Sequence, residues 1–193
     1  RSIMGALTMD ATDVDGVLKK LDPYYANSTQ EQPQNMQAQF TYNFETKSQI
    51  LDLNNIHFEM GAGSIDGSFK MSFTSPHQSE FSLTADNVNI KRLSQLGKAL
   101  FPSLPSQSFF SIDLIKQLTI NGKLAGTHLH FNNNLQIDNL TLNVVGQNGI
   151  VQIAPLSVTA YGGTHNITIN LDVINKEQPF IQLTEQADQI DIE

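Results

Sequence analysis

The sequence predicts an all-β protein with two short helices. Its sheet is expected to be antiparallel and curled, open or partly closed like a barrel or a taco. Three observations predict this. Apolar and polar residues alternate with a period of two over most of the chain, as half-buried strands require. Hydrophobic content is 39% and charged content only 16%, so Asn, Gln, Ser and Thr must build a surface that suits a solvated β face. A β unit also recurs along the chain, and such periods are sought before a fold is named.

The elements follow in order. Val14, Val17, Leu18 and Leu21 recur at three- and four-residue steps, which predicts a short helix from Thr12 to Leu21, stopped by Asp22-Pro23. Residues 24–37, rich in Asn, Gln and Ser, read as a loop. From Phe40 the period becomes two: Phe40, Tyr42 and Phe44, then Leu51 and Leu53, then Ile56, Phe58 and Met60. Strands with Phe69, Met71 and Phe73, then Phe81, Leu83 and Ala85, continue the pattern. Leu93, Leu96 and Leu100 predict a second helix over residues 91–101, ended by Pro102. Residues 103–111, with two prolines and many serines, read as a linker. Alternation then resumes to the C-terminus at spacings that fit an antiparallel meander. The expected organisation is a helix and linker over 1–39, a first β repeat over 40–102, a linker over 103–117 and a second, longer β repeat over 118–193. Together these form one continuous domain.

The repeat is visible in two places. LDLNNIHF (51–58) aligns with LQIDNLTL (135–142), and ADNVNI (85–90) aligns with ADQIDI (187–192). The first pair lies 84 positions apart and the second 102. The difference predicts an extra piece near Ile150 to Gly163, about one hairpin long. Both LDLNNIHF and LQIDNLTL slip phase, from Leu53 to Ile56 and from Ile137 to Leu140. Unbroken alternation would put the two halves on opposite faces. A bulge or a tight turn at Asn54-Asn55 and at Asp138-Asn139 returns the apolar residues to one side, and the flanking pieces, short for independent strands, favour the bulge.

Composition excludes several functions. Formal net charge is −8 with eleven scattered Lys and Arg, too few to neutralise a phosphate backbone, so nucleic acid is not an expected partner. No cysteine occurs, which removes disulfides and thiolate–metal chemistry. No apolar run reaches the roughly 18 residues that cross a bilayer, and no leader pattern opens the chain. The start at Arg1 is expected to be that of a fragment whose anchor lies elsewhere.

In their order, these segments resemble the AsmA family. LDLNNIHFEMGAGSIDGSFKMSF followed by EFSLTADNVNIKRL is similar to its paired strands, Gly-rich hairpin and A-D-x-apolar strand leading into a leucine helix. LTINGKLAGTHLHFNNNLQIDNLTLNVVGQNGIVQIAPLSVTAYGGTHNITINLDV follows the family's order more closely: the NGKL strand, the D-N-L-x-L strand, the P-L strand and the Tyr161–Gly163 turn. The match covers about Phe40 to Glu193. The resemblance implies a β-rich periplasmic body of a Gram-negative envelope protein tethered to the inner membrane. It further implies a role in outer-membrane assembly, with phospholipids carried between membranes along an apolar groove, and possible contacts with other envelope proteins.

The expected groove lining is the inward apolar set, chiefly Phe58, Phe69, Phe73, Leu129, Phe131, Leu142, Ile167 and Ile169. The same residues equally suit a closed core. No catalytic, metal or cofactor site is expected. Asp10, Asp13, Asp15 and Gly16 lack the first ligand of a calcium loop, and cap a helix better. His128 and His130 share a strand face without a third ligand. Residues 61–67, GAGSIDG, lack the Lys-Ser/Thr ending of a phosphate loop and precede a strand. Asn27, Asn139 and Asn166 open glycosylation triplets that occur by chance. Asp86 and Asp188 occupy equivalent repeat positions, which suits a turn rather than paired acids.

Overall fold

Strands that alternate apolar and polar residues can bury only one side, so they must assemble into a sheet with a greasy face and a wet one. A computed structural model describes residues 1–14, 16, 35–94, 112–132, 135–175 and 177–189. It shows one sheet of eleven strands that does not close on itself. The strands are β1 (Ser2–Ala11), β2 (Met36–Glu45), β3 (Ile50–Met60), β4 (Gly63–Ser72), β5 (His77–Asp86) and the short β6 (Val88–Asn89). After a helix α1 (Ile112–Gln117) come β7 (Leu118–Asn132), β8 (Leu135–Gln147), β9 (Ile150–Ala160), β10 (Gly163–Asp172) and β11 (Phe180–Asp188).

Neighbours in sequence are neighbours in space, and every long pair is antiparallel except one. At the centre, β5 and β7 run parallel, from His77 opposite Leu118 to Ala85 opposite Gly126. The expected all-antiparallel meander therefore has a parallel joint. The chain between these strands is long enough for the crossover that a parallel pair needs.

Three differences from the sequence reading follow. β1 occupies residues read as lead-in, and β2 begins at Met36 rather than Phe40. Part of the expected linker over 103–117 is the helix α1. Helical residues at Val14, Gly16 and 90–94 fall within or beside the two expected helices, most of whose length lies outside the described residues. The supposed insertion near 150–163 is strand β9 and its turn, an integral part of the sheet.

Strand order reveals the repeat directly. Five antiparallel strands, β1–β5, precede the parallel joint, and five, β7–β11, follow it. β3 and β9 span residues 50–60 and 150–160, and β4 and β10 span 63–72 and 163–172. The fold thus pairs β3 with β9, whereas the alignment of residues 51–58 with 135–142 pairs β3 with β8.

Bulges are present, one at the expected Asn54-Asn55 and the other one residue beyond the expected Asp138-Asn139. Asn54 and Asn55 together face Ser68, and Asn139 with Leu140 face Val158. Asn55 and Asn139 adopt φ of 52° and 51°, a region Asn tolerates better than most residues. On β9, Ala154 and Pro155 together oppose Thr168, and Pro155 has no N–H to give the ladder. The bulges of β3 and β9 lie in one row at mid-strand, joined through Ser68, Ser82, Lys123 and Asn143, and that of β8 lies nearer the strand end that holds Ala85 and Gly126. Each bends its strand and raises local twist, so the row curls the sheet.

Gly67 supports this row from β4. Its φ of 145° is closed to L side chains, and an added Cβ would lie 2.0 Å from the Ser82 carbonyl oxygen. Gly67→Ala is expected to lower the unfolding free energy by about 2–4 kcal/mol, since both backbone and space resist it. Urea unfolding followed by far-UV circular dichroism measures this; a change within about 0.5 kcal/mol, the scale of an ordinary surface substitution, would refute the account.

Candidate functional site

With directly opposed residues on a common side, the apolar face can be followed across the sheet. Ile3, Leu7 and Met9 of β1 oppose Phe44, Phe40 and Ala38 of β2. Leu53 opposes Phe69, which opposes Phe81. Across the parallel joint, Leu83 meets Leu124, and Leu124 meets Leu142. Leu142 then meets Leu156, and Leu156 meets Ile167. Ile169 faces Ile153 on one side and Leu183 on the other. One apolar face therefore runs from the first strand to the last, about 43 Å across at ~4.8 Å per strand.

The ends of this face are packed, whereas in its middle Val144, beside Gly122 and Ile153, is buried and most other apolar residues are not. Val14 is buried against Ala11, Met36, Phe58 and Met60. Val88 and Leu129 are buried with Ala85, packed by Ile65, Ile90, Leu93 and Leu140. At the opposite strand ends Ile115 and Val173 are buried, and the Lys116 ammonium donates to the Ile174 carbonyl at 2.7 Å. Between these ends Leu53, Phe69, Phe81, Leu124, Leu142, Ile167 and Ile169 are only half-buried. Gaps within the face are filled laterally. The Phe81 ring lies over Gly122 and the Tyr42 ring over Gly5, large side chains covering glycines on the neighbouring strand.

The sequence-derived lining residues divide accordingly. Phe69, Leu142, Ile167 and Ile169 lie in the half-buried middle. Phe58, itself half-buried, packs against Val14, and Leu129, at 2% exposure, belongs to an end cluster. Phe73 lies past the end of β4, exposed, with its ring edge-on to Phe44 at 6.4 Å. Phe131 is exposed near the end of β7. Sequence reasoning missed Ile3, Leu7 and Met9, although alternation was there to find them.

The other face is polar. Asp52, Lys70 and Glu80 are cross-strand neighbours lining a shallow depression of about 410 Å³ with Asn54, Ser68 and Lys123. Such exposed pairs contribute only about 0.2–1 kcal/mol each. His128 Nδ1 lies 2.6 Å from Asp138 Oδ1, whereas His130 Nε2 lies 3.1 Å from Asn87 Oδ1. The two imidazoles thus serve separate partners, and no group of three metal-ligating residues occurs among the described residues. Asp86 accepts a hydrogen bond from the Thr127 hydroxyl just before Asn87, whose φ is 51°. That is a structural part for this carboxylate.

His57 sits between two carboxylates, with Nδ1 2.6 Å from Asp66 Oδ1 and Nε2 3.1 Å from Glu59 Oε1. The hydrogen bonds to Asp66 and then Glu59 raise its pKa above the ordinary 6.5. Its folded-state pKa exceeds the unfolded one, so its contribution to stability is complete below 6.5 and is lost as pH rises through the raised value. Asp138 behaves oppositely. The His128 and Gln136 hydrogen bonds lower its pKa below 3.8, so its contribution holds above 3.8 and is lost as pH falls through the depressed value. In an NMR titration the His57 ring should have its midpoint above 6.5, and Asp66→Asn should move it down. A midpoint insensitive to Asp66→Asn would contradict the pairing.

No family model matches this chain, and no curated protein or solved structure matches it at a significant level.

Proposed function

We propose that this chain is a non-enzymatic, lipid-contacting β segment of a cell-envelope protein of the AsmA type. In this reading it is held in the periplasm by an inner-membrane anchor elsewhere in the protein and passes phospholipid acyl chains between the inner and outer membranes. The observation that carries the reading is the unbroken apolar face from β1 to β11, packed at both strand ends and half-buried over most of its middle.

The energetics fit a carrier. An acyl chain in water costs about 0.8 kcal/mol per CH₂, on the order of 12 kcal/mol for some 16 carbons. An apolar trough that covers one side of the chain offsets much of this without holding the lipid more tightly than a bilayer does. A trough running across the strands over about 43 Å exceeds the roughly 20 Å of one extended acyl chain and allows lipids to lie in series. No head-group pocket is needed.

A second reading, a scaffold for outer-membrane protein assembly through protein contacts, draws support from the outer strands β1 and β11, each unpaired on one edge among the described residues, and their exposed Ile3, Ile181 and Leu183. Lipid capture separates the two. Purified protein extracted with organic solvent should yield phospholipid by mass spectrometry, and Leu142→Asp or Ile167→Asp should cut the yield several-fold while circular dichroism stays unchanged. Thr164→Asp, on the polar face, should leave the yield intact. Protein that folds but carries no lipid, with or without these changes, would overturn the carrier reading.

A further inference from the structure

The two five-stranded blocks share more than a strand count. β4 and β5 pair with Ser64 opposite Asp86, and β10 and β11 pair with Thr164 opposite Asp188. Both β5 and β11 end in Ala-Asp followed by a residue of positive φ, Asn87 at 51° and Gln189 at 60°. β11 is therefore the counterpart of β5. On the outer edge of β5 lies β7, in parallel register. On the outer edge of β11 lies nothing among the described residues. All nine of its residues are exposed, with Ile181 at 67% and Leu183 at 60%.

The strand that fits this edge has a recognisable sequence. β7 carries Thr119-Ile120-Asn121-Gly122-Lys123-Leu124, and β1 carries Ser2-Ile3-Met4-Gly5-Ala6-Leu7. Hydroxyl-Ile-x-Gly-x-Leu occurs in both, and in both the Gly is covered by a neighbouring ring, Phe81 over Gly122 and Tyr42 over Gly5. β1 is thus a β7-like strand whose outer edge pairs with no other strand among the described residues. Direction agrees as well. Following the pairings across the sheet, β1 and β11 point the same way.

We infer that β11 of one copy accepts β1 of a second copy in parallel, reproducing the β5–β7 joint. Phe81 opposite Gly122 translates into Leu183 opposite Gly5, which sets Ile181 opposite Ile3 and Gln182 opposite Met4. The apolar face then continues from copy to copy. Because the contact is head-to-tail, it extends into open chains of molecules unless the rotation closes a ring. Backbone hydrogen bonds along the edge supply the affinity, and the register keeps apolar sides together.

One position is mismatched, and it makes the register testable. Thr127, whose hydroxyl donates to Asp86 in the internal joint, corresponds to Asp10, which would face Asp188. Two carboxylates there repel, so Asp10→Thr should strengthen association and added salt should do the same.

The whole chain, free of native cysteine, suits a disulfide test. Met4→Cys with Gln182→Cys places the two thiols on directly opposed residues, at a Cα separation of about 5 Å that a disulfide spans. Met4→Cys with Gln186→Cys displaces them by about 13 Å. Under mild oxidation the first pair should give a ladder of linked copies at least about tenfold above the second, given the geometry a disulfide demands. Sedimentation of the cysteine-free protein should show mass rising with concentration. Asp10→Thr should lower the concentration needed several-fold, and Ile181→Lys with Leu183→Lys should raise it while circular dichroism remains that of the folded sheet. Monomer at every concentration, equal ladders from both cysteine pairs, or a disulfide confined within single molecules would overturn the inference, whatever the lipid content of the preparation.

Discussion

Keeping every apolar side chain on one side of a single sheet is the constraint on which the structure rests. In a strand of period two, one residue too many sends the remainder to the wrong face. β3 shows how this is handled. Leu51 and Leu53 face inward, then Asn54 and Asn55 bulge together opposite Ser68, and Ile56, Phe58 and Met60 return to the same side. Without the bulge those three large side chains would stand on the wet face, each forfeiting up to about 1.5–3 kcal/mol of burial. β9 meets the same need with Ala154-Pro155, so the solution is set by geometry rather than by a particular residue pair.

The same bulges shape the face they preserve. Lying in a row at mid-strand, they curl the sheet where most of its apolar side chains are half-buried, while the buried residues other than Val144 gather toward the strand ends. A two-sheet sandwich would place its most buried side chains at the centre, where the two inner faces interdigitate. Here Val14, Val88 and Leu129 lie toward one end and Ile115 and Val173 at the other. Local packing at the ends holds the curl, and lateral filling of Gly5 and Gly122 by Tyr42 and Phe81 stiffens the middle, where the described residues form no covering layer.

Much of this was legible in the sequence because period-two alternation and phase slips are local signals. The strands from Phe40 onward, the bulges near Asn55 and Asn139 and the apolar side of each strand all follow from residues a few positions apart. Strand pairing does not. The parallel joint between β5 and β7 depends on a connection of some thirty residues whose course the alternation does not encode. One of the two repeat alignments fell at the wrong offset because LDLNNIHF and LQIDNLTL share a bulge, a local feature, although they hold different places in the sheet; ADNVNI and ADQIDI do begin on the counterpart strands β5 and β11. β1 was overlooked because its alternation, Ile3, Gly5, Leu7 and Met9, is interrupted by glycine and lies in a segment read only for its helix. Of the expected lining residues, Phe69, Leu142, Ile167 and Ile169 lie in the half-buried middle of the face. Phe58 and Leu129 carry the same local pattern and were distinguished only by Val14 and Val88, which arrive from elsewhere in the chain.

The parallel joint has a consequence for how such a face can be lengthened. A block of five antiparallel strands begins and ends with strands of one direction. An antiparallel joint would turn the next block upside down, so its packed end would sit beside its neighbour's opposite end. The parallel joint preserves orientation. Val14 after β1 and Val88 after β5 close the same end of the sheet, and the bulges of β3 and β9 stay in one row. Orientation kept at each joint is what lets a curled sheet grow as one continuous apolar face. A crossover is longer than a hairpin loop, and the helical residues it carries lie where an end of the face needs covering.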